Sequence, residues 1–395
     1  MINTGTIYLD NAGTTPVDPQ VIESIIPFLG SRFGNASSLH SLGQDARKAL
    51  EDSRESISKI LNCRLGEIVF TSGGTESDNI AIKGVASGVK AVNGSNHIIT
   101  TKIEHHAVLH ACEQLEKAGY LVTYLSVDKH GLIDLNELEN AINDNTSLVS
   151  VMLANNEIGT IQSISLISDV IKQCSEKFGK KIFFHTDAVQ GGGVLDLDVA
   201  KLGVDLMSLS GHKFHGPKGV GLLFIRKGTP IEPLIVGGGQ ERERRSGTSN
   251  VAGVVGFATA LSIAEKNRVK NVNLCLQLRD KLMHGILNSI DNTFLNGHPT
   301  LRLPGNVNIS FEGIEGETIL LGLDMAGVCA SSGSACSSGS LDPSHVLLAI
   351  GLNDEIARSS IRFTFGKYNS IAEIERVIDV LIELIPRLRS MPYLQ

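Results

Sequence analysis

The stretch Asp205-Leu-Met-Ser-Leu-Ser-Gly-His-Lys-Phe-His-Gly-Pro-Lys-Gly-Val-Gly221 decides how the rest of the chain is read. Leu206, Met207 and Leu209 form a short apolar run that predicts a buried strand. The run breaks into Ser210-Gly-His-Lys213, passes through a Gly/Pro turn and resumes as a second apolar run from Val220 to Ile225. In α/β folds, ligands bind beyond the carboxyl ends of strands. A lysine at that edge, crowded by glycines, is placed to lose solvent and act as an amine nucleophile. Taken by itself, Lys213 is more simply a solvated turn lysine, so its neighbours along the chain must decide.

Upstream of this stretch, strands alternate with helices. Apolar runs predict strands at 68–71, 98–101, 122–127, 148–153, 182–185 and 206–209, and helical stripes fall at 76–91, 107–118, 135–142 and 164–178. Repeated βα units imply an α/β fold with a mainly parallel sheet, and strands apolar on both faces fit a sheet covered by helices. Before them, Asp18-Pro19 reads as an N-cap followed by proline in the first helical turn, and 42–61 reads as a long amphipathic helix. After them comes a glycine-rich segment, Gly237 to Ser249, then one long helix over 251–287. A strand at 306–311, a helix at 317–323, a strand at 361–364 and a helix at 371–387 complete a smaller α+β unit. The expected division is 15–260 for the large domain, with 1–14 and 261–395 forming the small one.

Composition narrows the function class. The chain has 395 residues, 42% hydrophobic and 19% charged, which suits a globular enzyme of about two domains. A net charge of -7 argues against nucleic-acid binding, which calls for a basic surface. No apolar run reaches transmembrane length and no signal-peptide pattern opens the sequence, so a soluble cytoplasmic protein with reduced thiols is expected.

Four motifs carry chemistry. Thr71-Ser-Gly-Gly-Thr-Glu-Ser-Asp-Asn79 follows a strand and opens a helix, where backbone N–H groups and the helix dipole favour an anion such as phosphate. A plain capped helix start, with Ser72 or Thr75 as cap, is the alternative. Glu104-His-His106 sets an imidazole at a strand end, able to stack on a ring or move a proton; adjacent histidines do not suit one metal ion. His185-Thr-Asp187 ends a buried strand in a carboxylate, either a helix cap or the partner of a cationic nitrogen. With Lys213, these elements occur in order on successive βα units, and together they point to a pyridoxal phosphate site.

These motifs, with Asn155-Asn-Glu157, Asp187-Ala-Val-Gln190, Arg245-Ser-Gly-Thr248 and Ser331-Ser-Gly-Ser-Ala-Cys-Ser-Ser338, resemble cysteine desulfurases of the NifS/IscS type among the class V, fold-type I pyridoxal-phosphate enzymes. The resemblance covers essentially the whole chain. It implies a mainly parallel, seven-stranded-type sheet with helices on both faces in the large domain, and a homodimer. It implies that Lys213 would hold the cofactor covalently, that Asp187 would pair with the pyridine nitrogen and that His105 would stack on the ring. Gln190 and Asn156 would sit around the cofactor; Gly74, Thr75, Ser210 and His212 would bind its phosphate, with Thr248 reaching in from the other subunit. Arg362 would hold the substrate carboxylate with Asn156 and Asn35. Cys336 would be the catalytic thiol, on a Ser/Gly-rich loop expected to be mobile, with a transient iron–sulfur contact and no resident metal. The implied reaction removes sulfur from L-cysteine, gives alanine, and passes a Cys336 persulfide to an acceptor or iron–sulfur scaffold protein. The alternatives are a selenocysteine lyase or aminotransferase of the same fold, and a non-catalytic sulfur carrier. His106 stands where relatives often have lysine, and Ser337-Ser338 where Thr-Ser is commoner. Cys329, at the start of the loop, is expected to be buried.

Overall fold

The computed structural model describes residues 5–332 and 342–391. Its centre is a seven-stranded sheet of β2 (Ile68–Thr71), β3 (His97–Thr101), β4 (Leu121–Leu125), β5 (Thr146–Ser150), β6 (Phe183–Asp187), β7 (Leu206–Ser210) and β8 (Gly221–Ile225), ordered β2-β8-β7-β6-β5-β3-β4. Only β8 runs against its neighbours, pairing antiparallel with both β2 and β7. The two-sided apolar pattern has a direct outcome. Val149, Phe184, Met207, Leu209, Leu222 and Phe224 face a core built with helices Ser41–Leu61, Ile164–Phe178 and Val251–Lys266. Their neighbours Leu148, Phe183, Leu206, Leu223 and Ile225 face a second core with 74–93 and His106–Lys117. Adjacent residues point to opposite faces of a strand, so both faces must be apolar when both are covered.

A separate apolar cluster gathers Leu282, Ile286, Val307, Ile309, Phe311, Ile361, Phe363, Val377 and Leu381. Its antiparallel sheet is β12 (Ser360–Thr364), β10 (Asn306–Phe311) and β9 (Thr293–Leu295), in that order. The amino-terminal strand β1 (Ile7–Tyr8) pairs in parallel with β11 (Val328–Cys329), and Ile7 and Leu9 join this cluster. The three-residue β9 had no sequence signal because its residues are only partly buried.

Several expected boundaries move for identifiable reasons. The single helix predicted over 251–287 is two, Val251–Lys266 and Arg268–Ser289, because Asn267 sits at φ -103, ψ 5 and turns its side chain back onto the Ile263 carbonyl at 2.8 Å. β5 ends at Ser150 rather than at 153, although Val151 and Leu153 still donate backbone N–H groups to the His185 and Asp187 carbonyls. Asp18 does cap the first helix, accepting from the Gln20 N–H at 2.9 Å. Helix 74–93 starts at Gly73 with no side-chain cap, so neither Ser72 nor Thr75 plays that part, and it passes through a π turn at Ile80–Gly84. Among the described residues, no helix is long and apolar enough to cross a membrane.

Candidate active site

A cavity of about 430 Å³ opens at the carboxyl ends of β2, β5, β6 and β7 and reaches the small sheet. Gly74, Thr75, His105, Asn156, Asp187, Gln190, Ser210, His212, Lys213 and Arg362 all line it. Ten of the sequence-predicted residues therefore converge, from segments that are hundreds of positions apart.

Each side chain is placed by its local structure. Asp187 is the last residue of β6, fully inside the protein, and its Oδ1 accepts the Val189 N–H at 2.9 Å. Burial raises its pKa, while that N–H and the nearby Lys213 charge hold the rise back. Lys213 sits in the 3-10 turn Gly211–Lys213 that follows β7, and its Nζ donates to the Ala12 carbonyl and, at 2.8 Å, to Gly13. His105 caps helix His106–Lys117: its Nδ1 accepts the Ala107 N–H at 3.1 Å, which leaves the neutral ring's proton on Nε2. Desolvation, reinforced by Lys213, lowers its pKa to about 4, so the ring is neutral at physiological pH. His212 is pushed down to about 4 by the same two causes, and its Nδ1 lies 3.1 Å from Thr14 Oγ1.

The glycine-rich turn between β2 and helix 74–93 is made by close packing. A Cβ on Gly74 would lie 2.8 Å from Val189 Cγ2, and one on Gly221 would lie 2.6 Å from the Gly73 backbone. The backbone N–H groups of the first helical turn are thus brought beside Ser210 without a side chain in between. Glu76 closes the outer side, accepting the Ser72 N–H at 2.6 Å and Arg245 Nε at 2.8 Å.

Arg362 stands on the far wall, 2% exposed, on β12. Its guanidinium donates to Asp10 Oδ1 at 2.9 Å and to the Asn156 carbonyl at 3.1 Å, and its Nε has no hydrogen-bond partner. The Asn156 loop is held from behind by a buried cation. Arg302 donates to the Ile158 and Asn306 carbonyls, while the side chains of Asn306 and Asn308 both donate to the Glu157 carbonyl at 3.2 Å.

Two predicted residues lie elsewhere. Asn35 is exposed and accepts the Ser37 N–H at 3.0 Å; Thr248 is exposed on the segment after Arg245. Neither lines the cavity. Cys336 lies outside the described residues. Cys329 is half-buried rather than buried, because β11 is a two-residue strand with a single neighbour, β1. Other cavity residues had been given no role from the sequence: Asp10, Asp78, Met152, Glu157 and His345. Asp78 and Glu157 stood inside the quoted motifs, so the signal was present and unassigned. His106 also lines the cavity, its ring 4.8 Å from His110 and 4.7 Å from His345.

The Aminotransferase class-V family profile matches residues 7–377. The chain belongs to the class-V aminotransferase family. Within it, the chain is 50% identical over 98% of its length to the protein named cysteine desulfurase IscS of Methanosarcina thermophila, covering 93% of that protein. It is 49% identical, again over 98%, to that of Dictyoglomus turgidum, covering 97% of it. A solved NifS-like protein superposes with a TM-score of 0.89 at 40% identity, covering 97% of this chain and 100% of that one. A structure described as SspA in complex with cysteine gives 0.80 at 37% identity over 92% of this chain and 100% of that one.

The cofactor of this class-V enzyme is pyridoxal phosphate, and the cavity suits it. A lysine amine, a buried carboxyl and an imidazole all line it, and a Cβ-free turn at a helix start offers N–H groups to a phosphate.

Proposed function

We propose that the chain is a pyridoxal-phosphate-dependent cysteine desulfurase, converting L-cysteine to L-alanine and leaving the sulfur as a persulfide on Cys336. The observation that carries this is the convergence of Lys213, Asp187, His105 and the Gly74 turn on one 430 Å³ cavity with Arg362 opposite. When bound, the cofactor supplies an electrophilic carbonyl carbon and an electron-withdrawing ring. The chain supplies the rest. Lys213 Nζ would hold the cofactor, and Lys213 or His105 would move the substrate α-proton. Asp187 would pair as an anion with the cofactor's ring nitrogen, with Gln190 and Asn156 around the cofactor. Gly74, Thr75, Ser210 and His212 hold the phosphate, with Thr248 of a partner subunit completing it in a homodimer. Arg362 binds the substrate carboxylate beside Asn156, and Asn35 joins only if the partner or substrate brings it in. The Cys336 thiolate attacks the substrate γ-sulfur; that sulfur leaves Cβ with the bonding pair remaining on the carbon side, and protons returned to Cβ and to Cα complete alanine.

The persulfide then passes to an acceptor protein, here an iron–sulfur scaffold in the cytoplasm. Separate apolar clusters support a two-domain division, with 15–260 around the large sheet and 1–14 joined to 261–395 around the small one. L-Cysteine with a thiol reductant tests the proposal: wild type releases alanine and sulfide in equal amounts. Cys336→Ala retaining full sulfide release would overturn it, and pyruvate-dependent amino transfer without sulfide would make the chain an aminotransferase.

A further inference from the structure

A second carboxyl lies in the wall of the same cavity. Asp78, in helix Gly74–Asn79, is 1% exposed, lines the cavity and has an Oδ1 with no hydrogen-bond partner. That oxygen is 3.7 Å from His185 Nε2. His185 is fully buried beneath Asp187 on β6, and its ring nitrogens are occupied by hydroxyls: Nδ1 by Ser150 Oγ at 2.9 Å and Nε2 by Ser208 Oγ at 3.0 Å. Ser208 is the β7 residue paired with Asp187, and its hydroxyl also lies near enough to Asp78 to favour that carboxyl's anion. Ser150, His185, Ser208 and Asp78 thus form one dry polar chain ending at the cavity.

We propose that Asp78 is a positioning residue for the desulfurase reaction, the proton-bearing member of a carboxyl pair that leaves Asp187 as the one anion facing the ring nitrogen. The inference rests on the reading of Asp187 given above. Two carboxylates in one dry site cannot both ionise without a large cost, so the proton settles on the member with less support. Asp187 has the Val189 N–H and the Lys213 charge; Asp78 has Ser208 alone, against burial and the charge of Asp187. His185 does not take the proton. It is wholly buried, and desolvation drives its pKa down to about 3. A neutral Asp78 also explains why an oxygen with no partner is tolerated here: an unpaired neutral carboxyl oxygen costs far less than an unpaired buried charge.

Infrared difference spectroscopy of the apo-protein, with carbon-13 in its aspartate carboxyls, tests this directly. The label separates Asp78 from the buried glutamates. A protonated-aspartate carbonyl band at pH 7 is expected in wild type and is lost in Asp78→Asn. In Asp187→Asn, where the neighbouring charge is gone, the band's titration midpoint falls by about one pH unit or more, a tenfold change in proton affinity. Cofactor affinity, measured by absorbance titration, falls about tenfold in Asp78→Ala and is largely restored in Asp78→Asn, which keeps the neutral shape. If wild type shows no such band, if the band survives Asp78→Asn, or if Asp187→Asn leaves its midpoint unchanged, the proposal is overturned. Should Asp78→Asn not fold, the midpoint in Asp187→Asn decides. A separate result sinks the Asp187 reading itself: Asp187→Asn binding the cofactor as tightly as wild type.

Discussion

Asp10 and Arg362 are joined at 2.9 Å across 352 positions of sequence, and Arg362 presents its guanidinium to the cavity from that hold. A bidentate guanidinium is the usual partner of a carboxylate. Arg362→Lys keeps a charge but loses the fork, and is expected to raise KM for L-cysteine by at least about tenfold with a smaller effect on kcat. Asp10→Asn, which loosens the hold without removing the cation, should fall between the two. Steady-state alanine formation measures both. An unchanged KM in Arg362→Lys would remove Arg362 from the substrate site.

Gly74→Ala places a Cβ within 2.8 Å of Val189 Cγ2 at the start of the cavity helix. The expected outcome is a cofactor dissociation constant raised by about tenfold, read by titrating the apo-protein, with little change in thermal stability because the turn lies at a cavity edge.

The pH dependence of stability carries a signature of Glu104. It is wholly buried, its Oε1 accepts from the Met152 N–H and the Thr101 hydroxyl, and its Oε2 has no partner. Burial raises its pKa from 4.5 to about 8. Between those values the folded state binds the extra proton, so stability falls as pH rises through the window. Glu104→Gln cannot ionise. Its unfolding free energy should therefore hold up better than wild type from about pH 5 to pH 8, by a few kcal/mol at the alkaline end. Chemical denaturation at stepped pH measures this; parallel curves would mean that Glu104 is ionised in the native protein at neutral pH.

The segment that carries Arg245 and Thr248 hangs on one buried ion pair. Arg54 meets Glu241 at 3.1 Å, with side-chain exposures of 5% and 7%, and Glu241 also accepts the Phe70 N–H. Glu241, Arg242 and Glu243 all take left-handed backbone angles, φ 46, 56 and 65, which non-glycine residues adopt at a cost. Glu241→Ala leaves the buried Arg54 with only the exposed Glu51, at 3.4 Å, as counter-charge, and should destabilise the fold by about 3 kcal/mol. Double replacement of Arg54 and Glu241 by apolar residues should recover much of that loss, measured by urea unfolding.

Sequence and structure agree where the signal is local. Asp187 and Ser210 end their strands, and His105 and the Gly74 turn follow theirs, so a continuous apolar run giving way to polar residues was enough to mark each place. The residues that escaped do so for a physical reason. Asp10 stands in a polar stretch before the first helix, and its role depends on Arg362, which no local pattern ties to it. His345 joins the site through a hydrogen bond from its Nε2 to the Glu104 carbonyl, 241 residues away. Asp78 was masked by the glycines before it, which suggested a phosphate and drew attention from the buried acid. Asn267 interrupts a helix whose apolar stripe runs on undisturbed, and only its own backbone capping reveals the break.

The pairing of Ile7 and Tyr8 with Val328 and Cys329, and of Leu9 and Asp10 with Thr364, has a consequence for synthesis. β1 finds its partners only when β11 and β12, more than three hundred residues later, have followed it. Until then the large sheet can close on its own core, and Thr15 and Gln190 can tie the Ala12–Gly13 segment to it, but the cavity has no Arg362 wall. A chain can thus have its large sheet formed and still offer no finished pocket for its cofactor until β11 and β12 have joined it.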